Sequence, residues 1–157
     1  MAAVLSIVMD FRGKADLQLA CDVVTEINAR MLRANPRFPS LYGAGIFYER
    51  DGVCYARSIP GACERFLTAE RGLKEVRSGR MPGLDCDDIA PWRAAELQVR
   101  YGLRDARAVP VRSPGVGWHI LVTANGRRED PCKVLGMGPD GQGTRKLQLN
   151  LALPIAA

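Results

Sequence analysis

Asn125-Gly126 follows Trp118–Ala124, a run rich in β-forming residues, and precedes Arg127-Arg128-Glu129-Asp130. An Asn-Gly pair tolerates the positive backbone angles of a two-residue hairpin turn, so it predicts two antiparallel strands. Positions 119 and 130 have their midpoint at about 124.5, beside this turn, so the hairpin is expected to bring His119 and Asp130 close to opposite each other. His119 is the only histidine in 157 residues. If the chain does acid–base chemistry near neutral pH, this is its one ordinary imidazole.

Upstream, Leu17, Cys21, Val24, Ile27, Met31 and Leu32 recur at helical spacing and predict a helix over about Lys14–Ala34, ended by Asn35-Pro36. Ile46–Arg50 and Val53–Arg57 flank Asp51-Gly52, a second hairpin signature. Cys63, Phe66, Leu67, Leu73 and Val76 predict a weaker helix, interrupted at Gly72 and stopped near Ser78-Gly79. Ile89–Tyr101 predicts another, with an apolar stripe at Ile89, Trp92, Leu97 and Tyr101. Ala106–Arg112 reads as a strand, Val134–Met137 as a short strand or loop, Gly138–Gly143 as a turn and Lys146–Ala152 as a last strand. These elements make an α+β chain.

The length suits one domain over 1–157, with 1–80 as helical and hairpin support and 83–137 carrying the chemical motifs. At 47% hydrophobic and 25% charged residues, wholesale disorder and fibrous repeats are excluded. No apolar run approaches the roughly 20 residues that span a bilayer, so no membrane partner is expected. No basic stretch precedes Ala2–Met9, so no secretory signal is expected either. The net charge of +5 is spread along the chain without a basic run longer than Arg127-Arg128, which leaves nucleic acid a distant third as a partner. Five cysteines without a C-x-x-C pair read as free thiols in a reducing compartment and lack the spacing of a structural zinc site.

Cys86 stands at the mouth of the Ile89–Tyr101 helix. The positive end of a helix dipole favours thiolate over thiol, and an unperturbed cysteine is only about 3% ionised at pH 7. His119, on a stiff strand, is the candidate base for that thiol, and Asp130 the candidate group to orient the imidazole. Asp87 and Asp88 suit the first helical turn, yet with Asp85 they crowd Cys86 with negative charge, which should raise its pKa unless they are turned away or neutralised, for instance by Arg93. The same three aspartates offer hard oxygen ligands to calcium or magnesium but lack EF-hand spacing. Gly136-x-Gly138 and Gly141-x-Gly143 lack the context of a phosphate loop. No metal and no cofactor are expected.

Asp85-Cys86-Asp87-Asp88-Ile89-Ala90, Trp92-Arg93-Ala94-Ala95-Glu96-Leu97, Trp118-His119-Ile120-Leu121-Val122, Asp130-Pro131-Cys132 and Leu135-Gly136-Met137 together resemble the transglutaminase-like branch of the papain-like cysteine peptidases. Small bacteriophage-encoded members are the most similar. Cys132 stands where serine is commoner, Leu84 where a glycine usually precedes the Asp-Cys pair, and Tyr48-Glu49-Arg50 where such proteins often carry a tyrosine-arginine strand. The resemblance implies a papain-like core with the nucleophile at the start of a helix packed on an antiparallel sheet. It implies Cys86 as nucleophile, His119 as base and Asp130 as orienter, with Asp85, Asp87, Asp88 and Trp118 supporting. Trp118 would either shield a thioester from water or fill the core.

What the resemblance implies in function is a cysteine peptidase or amide acyltransferase acting on protein or peptide amides. Other phage virion proteins are the implied partners, and the host cytoplasm and the virion the implied locations. The alternative is a catalytically inactive virion or assembly protein that keeps the fold.

Overall fold

The structure, a computed structural model, describes residues 13–50, 66–114 and 117–141. Lys14–Ala34 forms helix α1, the span its apolar spacing predicts. Ala69–Arg77 forms α2, with the Thr68 side chain accepting a hydrogen bond from Arg71 N–H as its cap. Gly72 therefore lies inside α2 and does not interrupt it. A side chain there would meet Leu84 Cδ1 at 3.0 Å, so the glycine lets α2 pack closely on Leu84 while forfeiting roughly 1 kcal/mol of helix propensity.

Cys86–Arg100 forms α3. The expected single apolar stripe is replaced by burial all round, from Asp87 to Leu97 without a break, whereas Tyr101 is 44% exposed. The cause is position: α3 packs against α1 on one side and against the sheet on another.

That sheet is antiparallel and three-stranded, in the order β1 (Arg107–Ser113), β2 (Gly117–Ala124), β3 (Arg127–Glu129). Ile120, Val122 and Ala124 pack with Ala90, Ala94 and Leu97 of α3. Asn125 and Gly126 take φ of 49° and 71°, as a two-residue hairpin turn requires. Ala124 then pairs with Arg127 and Val122 with Glu129.

This register corrects the expected opposition of His119 and Asp130. Its centre falls between residues 125 and 126, so continued pairing would set residue 132 across from His119. Pairing also stops at Glu129, because Pro131 has no N–H to donate and Asp130 caps a one-turn helix, α4 (Pro131–Val134), by accepting from Lys133 N–H at 3.3 Å. That helix and the turn after it replace the strand or loop expected over Val134–Met137.

Residues 47–49 splice two parts of the chain. Tyr48 N–H donates to Leu135 O at 2.9 Å and Glu49 N–H to Leu84 O at 2.8 Å, while Leu84 N–H donates back to Phe47 O at 3.1 Å. The approach is so close that a Cβ on Gly83 would lie 2.5 Å from Phe47 O, which explains the glycine. The loop entering α3 and the segment leaving α4 are thereby fixed to one extended segment, which forms an isolated bridge at Tyr48 in place of the strand expected over Ile46–Arg50.

A buried polar cluster ties α3 to the end of β3. Arg93 Nε donates to Glu129 Oε1 at 2.8 Å and its Nη1 to Glu96 Oε2 at 3.0 Å, with Tyr42 hydrogen-bonding Glu129 as well. The Tyr42 and Tyr101 rings stack on the guanidinium at 4.9 and 5.6 Å.

Among the described residues no helix is long and apolar enough to cross a membrane. The hairpin turn at Asp51-Gly52, the strand at Lys146–Ala152, and Cys54 and Cys63 lie outside the described residues.

Candidate active site

Cys86 is the first residue of α3 and is half-buried, with the extended residue Asp85 as N-cap. It packs against both large apolar clusters, one built around Trp92, Ile89 and Cys132, the other around Ala90, Ala94 and the sheet. The Leu84 hydrogen bonds to residues 47–49 fix the backbone two residues before the thiol.

His119 sits on β2, out of phase with the core-facing Ile120 and Val122. Even so it is only 4% exposed, while Leu121 and Thr123 of the same parity are half-buried. The segment that approaches it is Asp130–Cys132. His119 Nε2 lies 3.0 Å from Asp130 Oδ2. An ionised carboxylate only accepts, so the proton of a neutral imidazole belongs on Nε2 and a lone pair remains on Nδ1. Nδ1 has no hydrogen-bond partner among the described residues. Asp130 is itself held by Lys133 N–H on Oδ1.

Cys132 completes this group: its Sγ, a His119 nitrogen and an Asp130 oxygen all lie within 4.8 Å of one another. Burial pushes the Cys132 thiol well up, helped by the nearby Cys86 and Asp130. Cys86 and Cys132 share one apolar cluster, Cys132 within it and Cys86 packed against it. Tyr48 joins them. Its hydroxyl, raised by burial and then by Cys132 and Cys86, donates to Gly141 O at 3.1 Å. The structure therefore brings His119 and Asp130 into contact and Cys132 and Tyr48 beside them, and the Cys86 thiol makes no hydrogen bond to His119 Nδ1.

Of the acidic residues around Cys86, Asp87 and Asp88 are buried. Burial holds the Asp87 carboxyl well above the usual carboxylate range, and the neighbouring Asp85 carboxylate pushes it further. Asp88 Oδ1 is turned to Leu67 N–H at 2.6 Å. Arg93, the neutralising partner suggested by the sequence, donates to Glu129 and Glu96. Trp118 is half-buried with the Arg112 guanidinium 4.6 Å above its ring, so it is not a core residue.

A raised carboxyl stabilises the fold while it stays protonated. Below the unfolded pKa, about 3.9, the contribution is complete, and it is lost as pH rises through the folded pKa, at about 1.4 kcal/mol per pH unit. Asp87→Asn, neutral at all pH, should abolish that slope, so the variant's stability relative to the parent should increase with pH above about 4. Urea unfolding of both proteins between pH 4 and 8 measures it, and parallel curves would refute a protonated Asp87.

Two residues carrying weight here, Cys132 and Tyr48, were legible only as parts of the family-like segments. A register centred between residues 125 and 126, rather than at 124.5, is the signal that could have pointed from His119 to position 132. No protein-family model matches the chain, and no match is found among curated proteins or solved structures.

Proposed function

We propose that this chain is a phage-encoded, transglutaminase-like cysteine peptidase or amide acyltransferase, acting on protein or peptide amides through Cys86, His119 and Asp130. The observation that carries this reading is the contact of buried His119 with half-buried Asp130 at 3.0 Å, with an Nδ1 lone pair that no described protein group satisfies. An unpaired buried acceptor costs about 1–3 kcal/mol, and such groups persist where function uses them.

In the proposed reaction Cys86 Sγ attacks the amide carbonyl and its proton passes to His119 Nδ1. Backbone N–H groups at the start of α3 hold the oxyanion. The C–N bond breaks, the imidazolium gives its proton to the leaving amine, and a thioester remains on Cys86. Water or an amine then attacks that thioester with His119 taking its proton. Collapse releases an acid or a new amide and the Cys86 thiolate, which recovers the proton. Asp130 holds the imidazole in the required tautomer and stabilises its cationic form. Hydrogen bonds of this kind are often long before substrate binds, so an open Cys86–His119 contact is compatible with the mechanism. Other virion proteins are the proposed substrates or partners, and the host cytoplasm and the virion the proposed locations.

A second reading, an inactive virion or assembly protein, is favoured by that same open contact. Alkylation kinetics separate them. Full ionisation would raise the reactivity of a thiol at pH 7 by up to roughly thirtyfold. Cys86 should react with iodoacetamide about tenfold or more faster than glutathione at pH 7, measured by site-resolved mass spectrometry. A rate at or below that of glutathione would favour the inactive protein.

A further inference from the structure

We propose that the face of the sheet turned away from α1 and α3 binds the substrate as an extended peptide, and that this peptide carries an aliphatic side chain followed, two residues on, by a carboxylate. Cys21 of α1 and Ala90, Ala94 and Leu97 of α3 pack with Ala108, Ile120 and Val122, which defines the inner face. Residues of the opposite phase point the other way. An antiparallel sheet with one uncovered face ordinarily sets polar residues there. Here β1 and β2 set Val109, Val111 and Leu121 there, all half-buried and in none of the apolar clusters of the described residues.

Two further observations identify the occupant. The register sets Val111 directly opposite His119, so the aliphatic residues share a face with the imidazole that Asp130 holds. Val109 pairs with Leu121 in the next row of that face, and Arg107, Thr123 and Arg128 form the row after it. That last row is cationic. Arg107 is held by Asp22 at 2.6 Å, whereas Arg128 is exposed and takes part in no ion pair among the described residues. The face thus runs from an imidazole across an aliphatic patch to a guanidinium. Its complement is a ligand that is apolar in the middle and anionic at the far end.

Strand spacing turns this order into a substrate pattern. At about 3.3 Å per residue, the Val109–Leu121 pair lies about 7 Å from His119 along β2 and the Arg128 row about 13 Å. An extended peptide aligned with β2 has the same rise and lays every second side chain on the sheet. With the acyl-donor residue at the imidazole, the residue two places away covers Val109 and Leu121, and the residue four places away reaches Arg128. The placing of the acyl-donor residue rests on the proposed reaction, whereas binding itself requires neither Cys86 nor turnover.

Fluorescence anisotropy of short labelled peptides on the full chain carrying Cys86→Ala tests this. The probe holds a glutamine, which offers both a side-chain and a main-chain amide, with a leucine two residues and a glutamate four residues away among glycines and serines, made in both chain directions. One direction should bind with a Kd below about 100 μM. Exchanging its leucine for serine should weaken binding about tenfold, and its glutamate for lysine about fivefold or more. Adding Arg128→Glu should reverse the charge preference, and adding Leu121→Thr should remove the leucine preference. No binding in either direction, equal binding of the leucine and serine peptides, or an unchanged charge preference in folded Arg128→Glu overturns the proposal. So does a dimer of the chain in sedimentation that Leu121→Thr dissociates, since a second copy would then cover the face. Selective peptide binding together with ordinary Cys86 alkylation kinetics in the parent chain keeps the surface and removes the enzyme. Alkylation that depends on His119, without peptide selectivity, overturns the surface alone.

Discussion

Arg93→Ala is expected to cost about 3–5 kcal/mol of folding stability, the range for breaking a buried ion pair by removing one partner. Burial opposes charge on Arg93, yet Glu129, followed by Tyr42 and Glu96, raises its pKa further above the ordinary arginine value. Its side chain is 1% exposed and Glu129's is 3% exposed, so alanine leaves a carboxylate away from water without its partner. Glu96 keeps Arg100 at 2.9 Å and suffers less. Against a typical total of about 5–15 kcal/mol, such a loss is a large fraction. Arg93→Lys should recover only part of it, because an ammonium cannot reproduce the forked contacts to two carboxylates. Urea unfolding measures both, and a loss below about 1 kcal/mol for alanine would contradict the account. The consequence reaches the site, since Glu129 immediately precedes Asp130 and Arg93 lies two turns along the helix that starts at Cys86.

The largest effect on chemistry is expected from His119. If the proposed reaction is correct, His119→Ala should lower amide turnover by about 10²–10⁴, the usual contribution of a general acid–base group. Asp130→Asn is the sharper variant. Asparagine still caps α4, as Asp130 does through Lys133 N–H, so the backbone is retained. It cannot stabilise an imidazolium, however, and it can present an amide N–H to Nε2, which favours the wrong tautomer. A fall of up to about 10⁴ in kcat with folding unchanged is expected, by analogy with triad carboxylates. Turnover retained within about threefold in either variant would remove that residue from the mechanism.

Much of this arrangement was legible in local sequence signals. The 3.6-residue spacing located α1, and Asn125-Gly126 located the hairpin, because both depend on neighbouring residues alone. The α+β class with an antiparallel sheet followed from them. The pairing of His119 with Asp130 was legible too, but for an inexact reason: the two were expected opposite each other in a ladder, whereas Asp130 reaches His119 from the cap of α4. Pro131 was the available clue, since it ends a ladder and begins a helix.

Long-range packing was not legible. Arg93 and Glu129 are 36 residues apart, and nothing in either neighbourhood announces the pair. The same holds for Tyr48, fixed between Leu84 and Leu135, and for the burial that favours a neutral Asp87. The stripe on α3 misled because a helix enclosed on several sides needs apolar or paired residues all round.

The central claim is that the His119–Asp130 pair acts on the Cys86 thiol. Its most direct test is the rate of Cys86 alkylation by iodoacetamide between pH 5 and 9, in the parent chain and in His119→Ala. If the claim holds, His119→Ala lowers the rate at pH 7 about tenfold or more and restores the profile of an ordinary thiol with a pKa near 8.5. Superimposable rates and profiles in the two proteins would contradict it.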